Sequence, residues 1–173
     1  LAIYTWNPIV SGVFMGALIQ PMVSVGAHWS LVPIAMNNLS VIGYDIIFPL
    51  FAGAVYAQSG AALACALKFQ DPLKKKNAFQ SAFTAFLGVT EPALYTVNLP
   101  LMKPFICAVI GGGIGGAITG FAGTRCYSFA FPSVVTCLAY AGPGFGLFMF
   151  SMVVGFISGF GLTMAVCRKN LED

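Results

Sequence analysis

The run IIFPLFAGAVYAQSGAALACAL, residues 46–67, carries no Asp, Glu, Lys or Arg between Asp45 and Lys68. At about 1.5 Å per residue it makes roughly 33 Å of helix, enough to cross a hydrocarbon core. Further charge-free runs cover 104–124 and 126–167, and within 1–44 only His28 titrates near neutrality. The whole chain agrees: of 173 residues, 58% are hydrophobic and 8% charged, against about 25% charged in a soluble domain. Eight basic and five acidic side chains cannot cover a water-soluble globule of this length. Twenty Gly, ten Pro and sixteen Phe exclude a coiled coil and a disordered tail, since disorder needs low hydrophobicity and high charge. The lipid bilayer is the solvent that remains. A net charge of +3 is too small for a nucleic-acid partner, because such domains cluster many Lys and Arg on one face.

Breakers divide the runs into about four transmembrane helices. Pro8 suits the first turn of a helix after Trp6-Asn7, which predicts a span over about 8–26 with a kink at Pro21. The others cover about 45–68, 104–123 and 145–167. The stretch from His28 to Asn38 mixes polar groups, aromatics and Pro33, and reads as irregular chain or a short helix. Residues 68–76 read as the strongly polar loop. Two apolar, Pro- and Gly-interrupted stretches, about 78–100 and 126–142, are too short for clean crossings and read as re-entrant hairpins. The expectation is an all-α membrane protein, one partial domain over 1–173.

If 78–100 enters and returns, Lys68, Lys74, Lys75, Lys76, Lys103, Arg168 and Lys169 share one side, with Arg125 opposite. That asymmetry is expected of a cytoplasmic face. Irregular backbone at membrane depth is tolerated only when buried in protein or lining a watery cavity. Two such hairpins in one short segment therefore point to a transport pathway rather than an anchor.

Glu91 is the sharpest chemical feature, an acid at the apex of the first hairpin between Gly88 and Pro92. A carboxylate at membrane depth is costly; one reading is that it accepts hydrogen bonds from hydroxyls of a polar solute. The other is a helix-terminal carboxylate satisfying free backbone N–H groups, and both can hold. His28 follows a helix end at Gly26-Ala27 and reads either as a structural donor or as a ligand. Trp29 fits a membrane-interface belt or a ring that stacks on sugar. Asn37, Asn38 and Asp45 continue the polar stretch. Gly112, Gly116 and Gly120 fall four apart on one helix face, which permits close helix packing, and Gly12/Gly16 and Gly155/Gly159 repeat the pattern. A phosphate loop would need a preceding strand and a Lys-Ser/Thr pair. The cysteines at 65, 107, 126, 137 and 167 show no C-x-x-C spacing and read as small buried hydrophobes. With one histidine, no zinc or other metal site and no cofactor is expected. The chain starts at Leu1 without a readable signal peptide and is expected to be an internal piece of a longer protein.

Gly88-Val89-Thr90-Glu91-Pro92-Ala93-Leu94-Tyr95, followed by Val97-Asn98-Leu99-Pro100 and Lys103-Pro104-Phe105, resembles the signature of the sugar-transporting membrane domain (IIC) of bacterial phosphotransferase-system enzyme II. Ala27-His28-Trp29, Leu31-Val32-Pro33, Asn37-Asn38, Gly43-Tyr44-Asp45 and Ala57-Gln58-Ser59-Gly60-Ala61 resemble its β-glucoside branch, within the glucose superfamily. The similarity runs along nearly the whole chain. It implies the C-terminal transport half of a IIC domain, multi-pass in the bacterial cytoplasmic (inner) membrane. Such a permease moves sugar by alternating access and hands it over for phosphorylation. It implies Glu91 and His28 at the sugar, the glutamate near the hydroxyl that becomes phosphorylated; Thr90, Asn38 and Trp29 complete the expected substrate-binding set. The implied partners are the sugar, a phosphocysteine-bearing B domain, an A domain, the bilayer and a second copy, dimerised through an N-terminal half absent from these residues. The family's membrane domain is about twice this length, and the Cys-x-Thr-Arg-Leu-Arg-type motif of the B domain is not found here. No catalytic residue is therefore expected in this chain, which alone should not transfer phosphate. A competing reading is an ion-coupled secondary transporter with Glu91 as proton or cation site; a purely structural subunit would leave an intramembrane glutamate without a role.

Overall fold

The computed structural model describes residues 2–167. Arg168 and Lys169, which the sequence groups with the lysines, lie outside the described residues. The elements are helical, with one isolated antiparallel bridge between Asp45 and Cys126 among the described residues. In chain order they are α1 (Ala2–Trp6), α2 (Pro8–Ser24), a 3-10 turn at Ala27–Ser30, α3 (Leu31–Ile42), a 3-10 turn at Phe48–Phe51, α4 (Ala52–Lys68) and α5 (Pro72–Phe86). After α5 come α6 (Glu91–Ala93), a π-turn at Leu94–Asn98, α7 (Leu99–Leu101), α8 (Lys103–Ala122), a 3-10 turn at Cys137–Tyr140 and α9 (Phe145–Val166).

Local chemistry sets the boundaries. Asn7 caps α2 by accepting from the N–H groups of Ile9 at 3.0 Å and Val10 at 3.1 Å, and Pro8 takes the first position, where no N–H is needed. The helix stops at Ser24, two residues short of the expected end, because Gly26 turns left-handed at φ 73°. The expected span from Asp45 starts later, at Phe48. Asp45 is fully buried and caps that turn, accepting from Ile47 N–H at 3.0 Å and Phe48 N–H at 2.8 Å. Residues 68–76 are not the expected polar loop. Asp71 accepts from the N–H of Leu73 at 2.7 Å and Lys74 at 3.3 Å, with Pro72 behind it, so Lys74, Lys75 and Lys76 lie on the first turns of α5.

Among the described residues, three continuous helical stretches are long and apolar enough to cross a membrane: Phe48–Lys68, Lys103–Ala122 and Phe145–Val166. Pro8–Ser24, at 17 residues, stands at the short end of the crossing range. Burial sorts them: 89% of the most apolar window of Phe48–Lys68 is buried against 28% for α9, so α4 is the axis and α9 the outer wall. Glycine lets them approach. A Cβ at Gly53 would stand 2.5 Å from Gly115 Cα, and Gly12 and Gly16 meet Gly116 and Gly112 backbone to backbone. α8 thus uses two faces, the four-apart row 112/116/120 against α2 and the row 111/115 against α4 and α9.

These contacts also give directions. Gly53 and Ala57 of α4 lie beside Gly155 and Gly159 of α9, so the two run parallel, while Gly53 opposite Gly115 and Ala57 opposite Gly111 make α8 antiparallel. Lys68 Nζ donates to the Met164 carbonyl at 3.0 Å. Lys68 and Lys103 therefore share one end of the bundle, and Arg125, 4.1 Å above the Tyr44 ring, lies at the other.

Between α4 and α8 the chain forms a helical hairpin, α5 up and α6–α7 back, buried against α4 through Ala62, Cys65, Ala66, Ala78, Ala82 and Ala93. Ser59 Oγ donates to Ala82 O at 2.8 Å, and Asn98 Nδ2 to Gln58 O at 3.0 Å. From the opposite end, residues 126–142 fold in as mostly irregular chain. They are held by the Asp45–Cys126 bridge, by the Val134 N–H donating to Tyr56 Oη at 2.8 Å, and by Tyr140 stacked on Phe148. The two meet tip to tip: a Cβ at Gly88, where φ is 104°, would stand 2.7 Å from Ser133 Cβ.

Candidate functional site

Where the tips meet, a cavity of about 270 Å³ opens between five parts of the chain. Such a volume is near the lower edge of the ~300–1,000 Å³ of small-molecule sites, and fits one small solute. The end of α2 contributes Gln20 and Val23, the following turn His28 and Trp29, the junction of the Phe48–Phe51 turn with α4 Phe51 and Val55, the hairpin tip Gly88–Glu91, and the opposing segment Phe131 and Pro132. The breaks in the helices put polar groups here: α2 ends at a left-handed glycine just before His28, and the hairpin turns at Gly88 just before Thr90 and Glu91.

Four of the five sequence-predicted site residues, Glu91, His28, Thr90 and Trp29, line this cavity. Glu91 is exposed, and its carboxylate accepts no hydrogen bond from the protein among the described residues, although it begins α6. Of the two readings of Glu91, the one that satisfies free backbone N–H groups is not what the geometry forms. His28 Nδ1 is buried without a partner. Trp29 is 61% exposed, its ring centroid 5.4 Å from that of His28 and 6.3 Å from that of Phe131, an exposed aromatic wall.

Asn38 lies outside the cavity lining. Its Nδ2 donates to Asp45 Oδ1 at 2.8 Å, both groups buried, so it completes the Asp45 cap. In turn, Gln20 was not singled out in the sequence. It is 1% exposed, its Nε2 donates to Ala54 O at 3.3 Å, and its Oε1 has no partner. The one signal for it was a lone amide inside an otherwise apolar helix, eight positions before His28. A buried acceptor left open is costly in an apolar setting; with His28 Nδ1 and the Glu91 carboxylate it gives three unpaired polar groups and an aromatic face. Hydroxyls can satisfy all three, and an aliphatic C–H face can lie on the ring. Among the described residues no three His, Cys, Asp or Glu side chains come together as a metal would require.

Tyr95 joins the two halves of the site. Its hydroxyl donates to the carbonyls of Val23 at 3.1 Å and Ser24 at 3.3 Å, linking the strand of chain that carries Glu91 to the helix end before His28.

Residues 1–112 match the family described as "Phosphotransferase system, EIIC". The chain is 50% identical over 133 residues to the PTS system beta-glucoside-specific EIIBCA component of Dickeya chrysanthemi, covering 76% of this chain and 21% of that protein. It is 34% identical over 169 residues to the beta-glucoside-specific EIIBCA component of Bacillus subtilis (strain 168), covering 95% of this chain and 27% of the relative. The sucrose-specific EIIBC component of the same strain is 33% identical over 157 residues, 91% of this chain and 33% of the relative. The chain thus spans about a fifth to a third of the length of these curated relatives. No solved structure matches it significantly.

Proposed function

Because the chain belongs to the phosphotransferase-system EIIC family, we propose that it is the part of a permease that holds and moves a β-glucoside-type sugar across the bacterial inner membrane, coupled to the sugar's phosphorylation by a partner B domain. The observation that carries this reading is the Glu91 carboxylate, unpaired by protein, in one cavity with His28 Nδ1, Gln20 Oε1 and the open Trp29 face. A pyranose has what that set lacks: hydroxyl donors for the acceptors and a C–H face for the indole. Glu91 accepts from the sugar hydroxyl that receives the phosphoryl group, and so holds it at the hairpin tip. Thr90, buried beside it, shapes the same wall.

Movement follows from the placement. Each tip is an irregular turn reached from one end of the bundle, so displacing one hairpin against the other opens the cavity to one side at a time, as alternating access needs. The Lys68–Lys103 end is the cytoplasmic one under the positive-inside rule, and the phosphorylated B domain, supplied through its A domain, approaches there. The assembly is a homodimer held by helices N-terminal to the region described.

Glu91→Gln tests the reading, measured as sugar binding to purified, folded protein. A charge-assisted hydrogen bond is worth about 1.5–3 kcal/mol, so affinity should fall roughly tenfold or more. Normal affinity in folded Glu91→Gln and Glu91→Asp proteins would remove Glu91 from the site and this function with it. Uptake that follows an ion gradient rather than phosphoenolpyruvate would replace it with ion coupling.

A further inference from the structure

A second and larger cavity, of about 480 Å³, lies on the other side of the hairpin tip, between α5 and the returning arm. Lys74, Asn77, Gln80 and Thr84 recur along the face of α5 that lines it, and Thr96 and Pro92 face them from the arm. Its base is closed by a Ser81–Thr96 hydroxyl pair at 3.0 Å. The side chains of Lys74, Asn77 and Gln80 make no hydrogen bond to protein among the described residues, although Thr84 and Thr96 satisfy theirs locally at Ser81 O and Pro92 O. A helix of a membrane-embedded hairpin cannot turn a lysine and two amides toward lipid; such a row faces water or a polar ligand. The wall between the two cavities is thin. Pro92 lines this one, and its neighbour Glu91 lines the other.

We infer that this cavity is a second binding site, for the phosphorylated form of the sugar, on the Lys68–Lys103 side of the hairpin. The inference rests on the sugar-phosphorylating reading above, which supplies an anionic product at the hairpin tip. The chemistry fits that product better than the free sugar. Lys74 supplies an ammonium for the phosphate, a charge-assisted contact, while the Asn77 and Gln80 amides offer donors and acceptors to neighbouring hydroxyls. The Glu91 cavity has the opposite character, a carboxylate that attracts hydroxyls and repels phosphate. The charge gained on phosphorylation therefore lowers affinity on one side of Pro92 and raises it on the other, which gives product release a direction.

The test uses the purified protein in lipid nanodiscs with three probes: methyl β-glucoside, methyl β-glucoside 6-phosphate and inorganic phosphate. Lys74→Gln should weaken binding of the phosphorylated probe about tenfold or more and leave the unphosphorylated one within about twofold. The Asn77→Ala/Gln80→Ala pair should weaken the phosphorylated probe about tenfold without changing inorganic phosphate. These positions are solvent-facing on α5, and a Thr84→Cys probe gives an independent reading: its alkylation should slow with the phosphorylated glucoside but not with the free one. Unchanged binding of the phosphorylated probe in Lys74→Gln and the amide pair, with no protection at position 84, would overturn the second site. So would Glu91→Gln weakening both glucosides equally, because product and substrate would then share one cavity. Failure of the sugar-binding reading is distinct, since it shows as unchanged methyl β-glucoside affinity in Glu91→Gln.

Discussion

Tyr95→Phe removes one hydroxyl and keeps the ring, and it separates positioning of the site from packing. The Tyr95 hydroxyl has a single proton, shared between Val23 O at 3.1 Å and Ser24 O at 3.3 Å. Val23 O also receives the Gly26 N–H at 3.0 Å, so the variant does not leave that carbonyl orphaned. The net loss is one neutral hydrogen bond, about 0.5–1.5 kcal/mol. If that bond serves only the fold, the loss appears in thermal stability and sugar binding is unchanged. If it holds the arm of Glu91 against the helix end of His28, closing the site around sugar must do without the tie, and affinity falls about two- to twelvefold. The structure supports the second outcome, because the tie joins two segments that line the cavity and lies four residues from Glu91. Calorimetric sugar titration of Tyr95→Phe, Glu91→Gln and the double variant decides it. A positioning tie predicts non-additivity, the double variant binding little worse than Glu91→Gln alone. Additive losses, or a fall in thermal stability with normal affinity, would refute the reasoning.

Other substitutions probe the frame and the remaining site residues. His28→Ala should weaken sugar binding while the protein still inserts; unchanged affinity would assign the histidine to structure alone. Asn38→Ala removes a donor from the buried Asp45 carboxylate and should cost about 1–3 kcal/mol of stability with sugar affinity retained, the reverse outcome placing Asn38 back among the sugar ligands. Gly53→Ala drives a Cβ to 2.5 Å from Gly115 Cα, where backbone cannot yield locally; a destabilisation of about 1–3 kcal/mol is expected in thermal unfolding, and a wild-type melting curve would contradict the close helix contact.

Much of the fold was legible because lipid leaves few options. A charge-free run longer than the hydrocarbon core must be helical, and the runs ended near the observed helices α4, α8 and α9. The misreading at 68–76 has a specific cause. A lysine cluster counts toward orientation by the positive-inside rule wherever it lies, so it does not report whether its backbone is loop or helix. The Asp71-Pro72 pair did report it, as a cap followed by a residue that needs no N–H. The four-apart glycine row on α8 was also visible, but the second row at 111 and 115 is not: it becomes a contact only when α4 and α9 are in place.

The site was legible to the extent that its chemistry is local. Glu91 and Thr90 lie in one short segment and His28 and Trp29 in another, and each segment follows a glycine that breaks a helix. Their meeting is a tertiary event, tied by the Tyr95 hydroxyl to Val23 O across 72 positions of chain, which no local pattern encodes. Asn38 and Gln20 show the same limit from opposite sides. Both are amides in apolar surroundings, and composition alone treats them alike. Asn38 lies seven residues before Asp45, and the turn after α3 brings it back onto that carboxylate, so its hydrogen-bonding capacity is taken by the fold. Gln20, which lines the cavity, has only one end satisfied, and its Oε1 has no partner in the protein among the described residues. What distinguishes a binding residue from a structural one here is therefore the unpaired half of a polar group, and pairing is a property of neighbours that are distant in sequence. The same criterion connects the two cavities: on either side of Pro92 the groups without partners, a carboxylate on one and an ammonium with two amides on the other, are of opposite charge. Under the proposed function, a solute that turns from neutral to anionic at that wall is driven from the first to the second by these side chains.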